Sequence, residues 1–121
     1  MNYAGFDIAN HLNEWAGGTD TSFPKYELLP SAAQKRAFVE AYVDRAYELE
    51  GREGEKASAA WSSEVELLLQ DVEVFMLVNH FYWGFWGYCQ GATEGCAEFD
   101  YINYGKERLD QARKIQDAVL G

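Results

Sequence analysis

The segment from Val74 to Cys89 constrains the fold more than any other. Asn79 and His80 interrupt it, and the rest is aliphatic, aromatic, sulfur-bearing (Met76 and Cys89) or glycine. A helix that is apolar nearly all round has to be covered on several sides. The run is shorter than the ~20 residues of a membrane helix, and Asp71 and Glu73 stand at one end. The pattern therefore predicts a buried core helix. Ser63-Glu64-Val65-Glu66 has the form of a capping box, in which Ser accepts from the third backbone amide and Glu reaches back. This predicts a helix from Ser63 to about Gly91, amphipathic in its first half through Val65, Leu68, Leu69, Val72 and Phe75.

Three shorter helices flank it. Phe6, Ile8, Ala9, Leu12, Trp15 and Ala16 give helical apolar spacing over Gly5 to Ala16, and Gly17-Gly18 ends it. Residues 17 to 30 form a loop with Pro24 and Pro30. Ser31-Ala32-Ala33-Gln34 is another capping box. It opens a helix whose inner face reads Phe38, Ala41, Tyr42, Arg45, Ala46 and Leu49, and Glu50 to Ala57 is a charged turn. Asp100 is a plausible N-cap for a last helix from Tyr101 to Leu120, with Tyr101, Tyr104, Leu109, Ala112 and Ile115 inward. No strand, internal repeat or low-complexity tract is visible. The fold class that follows is an all-α bundle over one domain, residues 1–121. Its difficulty is supply, because three amphipathic helices are few for so apolar a partner.

Net charge sets the partners. The chain carries −10, which argues against nucleic acid, since phosphate contacts need Lys and Arg. It draws small cations by steering. Cys89 and Cys96 read as reduced thiols of a cytoplasmic protein, and two His with two Cys fit no zinc pattern.

Aromatic residues make up 16% of the chain, and they cluster. Trp83 and Trp86 lie three apart, on one helix face. Gly84 and Gly87 remove bulk beside them, although Gly inside a helix costs about 1 kcal/mol relative to Ala. Phe99, Tyr101 and Tyr104 form a second cluster at the start of the last helix. Aromatic faces attract a cation at ~0.5 to 2 kcal/mol each. By spacing alone these rings are either the walls of a small-ammonium site or plain core.

Three blocks carry a family resemblance. Gly5-Phe6-Asp7-Ile8-Ala9-Asn10-His11-Leu12-Asn13-Glu14-Trp15 resembles the segment that follows the Asp-Phe-Glu metal-binding motif of choline/ethanolamine kinases. Asn79-His80-Phe81-Tyr82-Trp83-Gly84-Phe85-Trp86 resembles the family's Ser-His-Phe-x-Trp-Gly-x-Trp helix, and Glu98-Phe99-Asp100-Tyr101 through Tyr104 its following Phe-x-Tyr-x-x-Tyr block. Pro30 to Tyr42 is similar to a further stretch, and order and spacing agree along nearly the whole chain.

The resemblance implies the C-terminal helical part of a two-lobed, protein-kinase-like fold. The family uses ATP and magnesium to phosphorylate the hydroxyl of choline or ethanolamine. Carried over position by position, Glu14 matches an acidic residue at the amino-alcohol site. Trp83, Trp86 and Tyr104 match walls of its aromatic pocket, and Phe99 matches a neighbouring wall. Asp7 matches a buried Asp expected to brace the catalytic loop, a structural role. His11 and His80 are expected to be satisfied core histidines.

Phosphoryl transfer also needs a nucleotide-holding lobe, a strand Lys, a catalytic Asp and metal-binding Asp and Asn residues. No His-x-Asp-x-x-x-x-Asn string and no Asp-Phe-Glu occurs here. The expectation is a C-terminal piece that carries no catalytic or metal residues, binds no cofactor by itself and is prone to oligomerise. The alternatives are a non-catalytic helical interaction module and a small-cation binder. Where choline kinases carry Asp-Tyr after the Trp15 equivalent, this chain reads Gly18-Thr19. A quaternary ammonium wants aromatic walls all round, whereas a primary ammonium has three donors and wants acceptors. Losing a wall while keeping Glu14 tilts the reading toward ethanolamine.

Overall fold

A computed structural model describes residues 4–18 and 21–121. The expectation placed on Thr19 lies outside the described residues. Helix α1 spans Ala4–Asn13 and runs into a 3-10 turn at Glu14–Ala16. Helix α2 spans Ala32–Leu49, α3 Ala59–Glu94 and α4 Tyr101–Leu120. Among the described residues there is no strand, so the all-α expectation holds.

Helix α3 is the axis. Its 36 residues extend about 54 Å at 1.5 Å per residue. The first half meets α1 and α2 in one core of Ile8, Ala9, Leu12, Val39, Val43, Tyr47, Val65, Val72 and Met76. The second half meets α4 along a glycine seam. A Cβ at Gly87 would come within 2.8 Å of Cα and N of Gly105, and one at Gly105 within 2.7 Å of the Gly84 oxygen. Only glycine permits that backbone approach, so Gly84 and Gly87 serve helix packing.

Helix starts follow caps. Ser31 accepts from the Gln34 amide while Gln34 accepts from the Ser31 amide, the reciprocal box expected from sequence. Asp100 accepts from the Asn103 amide. Helix α3, however, starts at Ala59, with Ser58 accepting from the Trp61 amide at 3.2 Å. Two alanines extend the helix at low cost, and Trp61 anchors the added turn through a 2.8 Å bond from Nε1 to Asp44. The box at Ser63 is thereby overridden.

The inner face of α2 also differs. Val39, Val43 and Tyr47 are buried, while Tyr42 and Leu49 are 44% and 71% exposed. The burying stripe is i, i+4, i+8, about one residue round from the expected face. Trp15 is 37% exposed, because the 3-10 turn at Glu14 advances each residue by a third of a turn and swings the indole off the α1 face.

The supply problem is real. Helices α1 and α4 cover two sides of the apolar half of α3, not all of it. Val78, Tyr82 and Phe85 stay 43%, 57% and 58% exposed, and they form a contiguous outer stripe by helical spacing.

Candidate functional site

The cluster grows from where α1 crosses the middle of α3. Helical spacing sends Asn10 and Asn13 toward α3, which presents Asn79 and Trp83 there. Asn13 Nδ2 donates to the Met76 carbonyl at 3.1 Å and to Asn79 Oδ1 at 2.9 Å. Asn79 Nδ2 and Trp83 Nε1 both donate to Asn10 Oδ1, at 2.8 and 3.0 Å. Asn10 Nδ2 in turn faces Glu14 Oε1 at 3.5 Å, a long contact on the solvent side.

Helix α4 closes the floor with Arg108. Its guanidinium, 2% exposed, donates to Tyr104 Oη at 2.9 Å and to Asn79 Oδ1 at 2.6 Å. It also lies 5.6 Å from the centre of the Tyr104 ring. Among the described residues no carboxylate forms an ion pair with it. Burial pushes its pKa down, and the neighbouring Tyr104 and Tyr26 oppose that.

His80 is buried on the same floor, edge-on to Tyr26 at 5.7 Å. Its two ring nitrogens, Tyr26 Oη and Arg108 Nε have no hydrogen-bond partner among the described residues. Burial and the Arg108 charge push the His80 pKa down to about 3. His80 is thus a neutral core histidine, as expected, but not a satisfied one. Burial also pushes the Tyr26 hydroxyl up. His11 was expected in the core and is exposed, stacked on Phe38 at 5.2 Å.

Trp83 and Trp86 share a face as the spacing suggested, and α4 brings the second ring cluster against them. Trp86 stands edge-to-face with Trp83 at 5.2 Å, Tyr101 at 5.6 Å and Tyr104 at 6.0 Å. Phe99 lies 5.8 Å from Tyr104. Edge-to-face pairs are worth about 0.5–1.5 kcal/mol beyond their buried area, so the rings satisfy one another. Glu14 itself opens on a cleft of about 450 Å³ shared with Trp15, Gly17, Phe23, Lys25 and Leu28. The carboxylate therefore lies between this cleft and the ring cluster, joined to Trp83 through Asn10.

Asp7, expected to be buried against a catalytic loop, faces outward among the described residues, because Gly5, Ile8, Ala9 and Leu12 turn the opposite face of α1 inward. Sequence reasoning missed Arg108 and assigned no role to Asn10, Asn13 or Asn79, which entered it only within the family blocks and, for Asn79, as an interruption of an apolar run. Two polar residues inside that run were the available signal, since a buried amide implies a partner. Among the described residues no group of three His, Cys, Asp or Glu side chains could hold a metal ion. Cys89 and Cys96 are exposed free thiols, and no described helix is long and apolar enough to cross a membrane.

Comparison with known proteins adds a family. A model described as Choline/ethanolamine kinase matches residues 1–113. The chain is 35% identical over 118 residues to "Ethanolamine kinase 1" of Homo sapiens, covering 98% of this chain and 24% of that protein. It is 34% identical over 114 residues to "Probable choline kinase 1" of Arabidopsis thaliana, covering 92% and 30%. It is 38% identical over 106 residues to "Probable ethanolamine kinase" of Nematostella vectensis, covering 88% and 28%. The chain spans less than a third of the length of these relatives. No solved structure matches it.

Proposed function

The chain belongs to the choline/ethanolamine kinase family, and on that premise we propose that it forms the amino-alcohol side of an ATP-dependent, cytoplasmic kinase acting on ethanolamine or choline. In this reading Glu14 accepts the ammonium, and Trp83, Trp86, Phe99 and Tyr104 wall it. Asp7, exposed here, braces the catalytic loop supplied by the rest of a longer protein. ATP and magnesium bind that remainder, and the residues of this chain perform no phosphoryl transfer alone. The observation that carries the reading is the continuity from Glu14 through Asn10 to Trp83 and on to Trp86 and Tyr104. A carboxylate linked through Asn10 to a ring cluster, in which Tyr104 is buried behind the indoles, supplies the two kinds of group a small ammonium needs.

Ethanolamine is the preferred partner. Its ammonium has three donors, and the acceptor Glu14 is exposed, whereas the rings are already packed on one another. Trp fluorescence of the purified chain, titrated with ethanolamine and with choline, tests the reading. Saturable binding, tighter for ethanolamine and lost in Trp86→Ala, is expected. Tighter binding of choline would reverse the preference.

The exposed stripe Val78, Tyr82 and Phe85 favours a second reading, a non-catalytic interaction module. A monomer that melts cooperatively, binds neither amine and forms a defined complex through that stripe would support it.

A further inference from the structure

We propose that Asn10 is a positioning residue that aims the Glu14 carboxylate and the Trp83 indole together, at the end of a two-amide relay starting from the buried Arg108 guanidinium. This rests on the reading of Glu14 as the ammonium acceptor.

Hydrogen-bond chemistry fixes the direction of the relay. A guanidinium only donates, so Arg108 Nη2, 2.6 Å from Asn79, must meet the carboxamide oxygen. Asn13 Nδ2 supplies a second donor to the same oxygen. The Asn79 amide nitrogen is then turned toward Asn10, where it donates at 2.8 Å. An indole N–H also only donates, and Trp83 Nε1 reaches the same Asn10 oxygen at 3.0 Å. Two donors hold that oxygen inward, so the Asn10 amide nitrogen can face only outward, toward Glu14. Neither carboxamide can flip without setting donor against donor.

The relay has an electrostatic consequence. The two amide dipoles run head to tail from a buried cation to an exposed carboxylate. Arg108 has no carboxylate in ion-pair range among the described residues, and the relay leads to Glu14. A direct Arg–Glu pair would saturate that carboxylate. Two intervening amides orient it instead, and the 3.5 Å last link is near the limit of a hydrogen bond. Glu14 therefore stays aimed and available. Aiming matters for a ligand with N–H donors and little for a quaternary ammonium.

The test combines ligand affinity with a ligand-free signature, on the whole chain. In NMR, exchange of the Trp83 indole proton should be slow in the wild type and in Asn10→Asp, which keeps the acceptor oxygen, and fast in Asn10→Ala. Asn10→Ala should weaken ethanolamine binding roughly 3- to 10-fold and choline binding less than about twofold. In a Glu14→Gln background Asn10→Ala should add no further loss. Equal losses for both amines, or an undiminished loss in the Glu14→Gln background, would reduce Asn10 to a packing residue and overturn the proposal. A fast-exchanging Trp83 proton in the wild type overturns the relay geometry itself. Slow exchange in a wild type that binds neither amine marks failure of the functional reading, and the positioning role falls with it.

Discussion

Arg108 donates a 2.6 Å hydrogen bond to Asn79 while both side chains are buried, at 2% and 0% exposure. A buried cation without an adjacent carboxylate depends on neutral acceptors, here Asn79 and the Tyr104 hydroxyl. Arg108→Ala removes both bonds and the packed stem, and is expected to destabilise the chain by about 3 kcal/mol. Arg108→Lys keeps the charge but not the fork, and should still cost about 1 kcal/mol or more. Urea unfolding followed by Trp fluorescence measures both. A change below about 0.5 kcal/mol in Arg108→Ala would contradict this account of the floor.

The glycine seam makes a second prediction. A methyl at Gly87 meets backbone atoms of Gly105 and Tyr101, each at 2.8 Å, and backbone cannot rotate away. Gly87→Ala gains about 1 kcal/mol of helix propensity against about 3 kcal/mol of overpacking, a net loss of about 2 kcal/mol. A methyl at Gly54 would meet nothing within 4 Å, so Gly54→Ala should stay within about 0.5 kcal/mol of wild type. Equal effects in the two variants would argue against close contact of α3 with α4.

His80 sets the acid limit. Its folded pKa of about 3 lies below its ordinary 6.5, so the unfolded chain takes up the proton first. Its contribution is fully present above about pH 6.5 and is lost as pH falls toward 3. Between pH 7 and 5 the loss is about 2 kcal/mol. His80→Gln removes the titrating group and should flatten the pH dependence over that range. A wild-type stability that does not change between pH 7 and 5 would refute a buried neutral His80.

The start of α3 can be tested by its two candidate caps. Ser58 accepts from the Trp61 amide, so Ser58→Ala should cost about 1 kcal/mol. Ser63 is exposed inside the helix, and Ser63→Ala should be neutral or slightly stabilising. Thermal melts of the two variants decide it. The reverse order would restore the start at Ser63.

The number of helices, the caps at Ser31 and Asp100, the apolar axis and the ring cluster were legible in the sequence. All of these are set by local spacing and local hydrogen bonds, which a linear pattern records. The inner face of α2 was not, because Val39, Val43 and Tyr47 compete with an equally apolar Phe38, Tyr42 and Leu49, and only the surface of α3 selects between them. Asp7 and Trp15 turned outward for a similar reason, since one face of α1 had to meet α3 and the 3-10 turn changed the phase. The relay from Arg108 through Asn79 and Asn10 to Glu14 joins residues from three helices, up to 69 positions apart across a single bond. Sequence alone determined which helices form and which rings share a face. Tertiary structure decided which polar groups meet, because a buried donor takes whichever acceptor packing brings within about 3 Å.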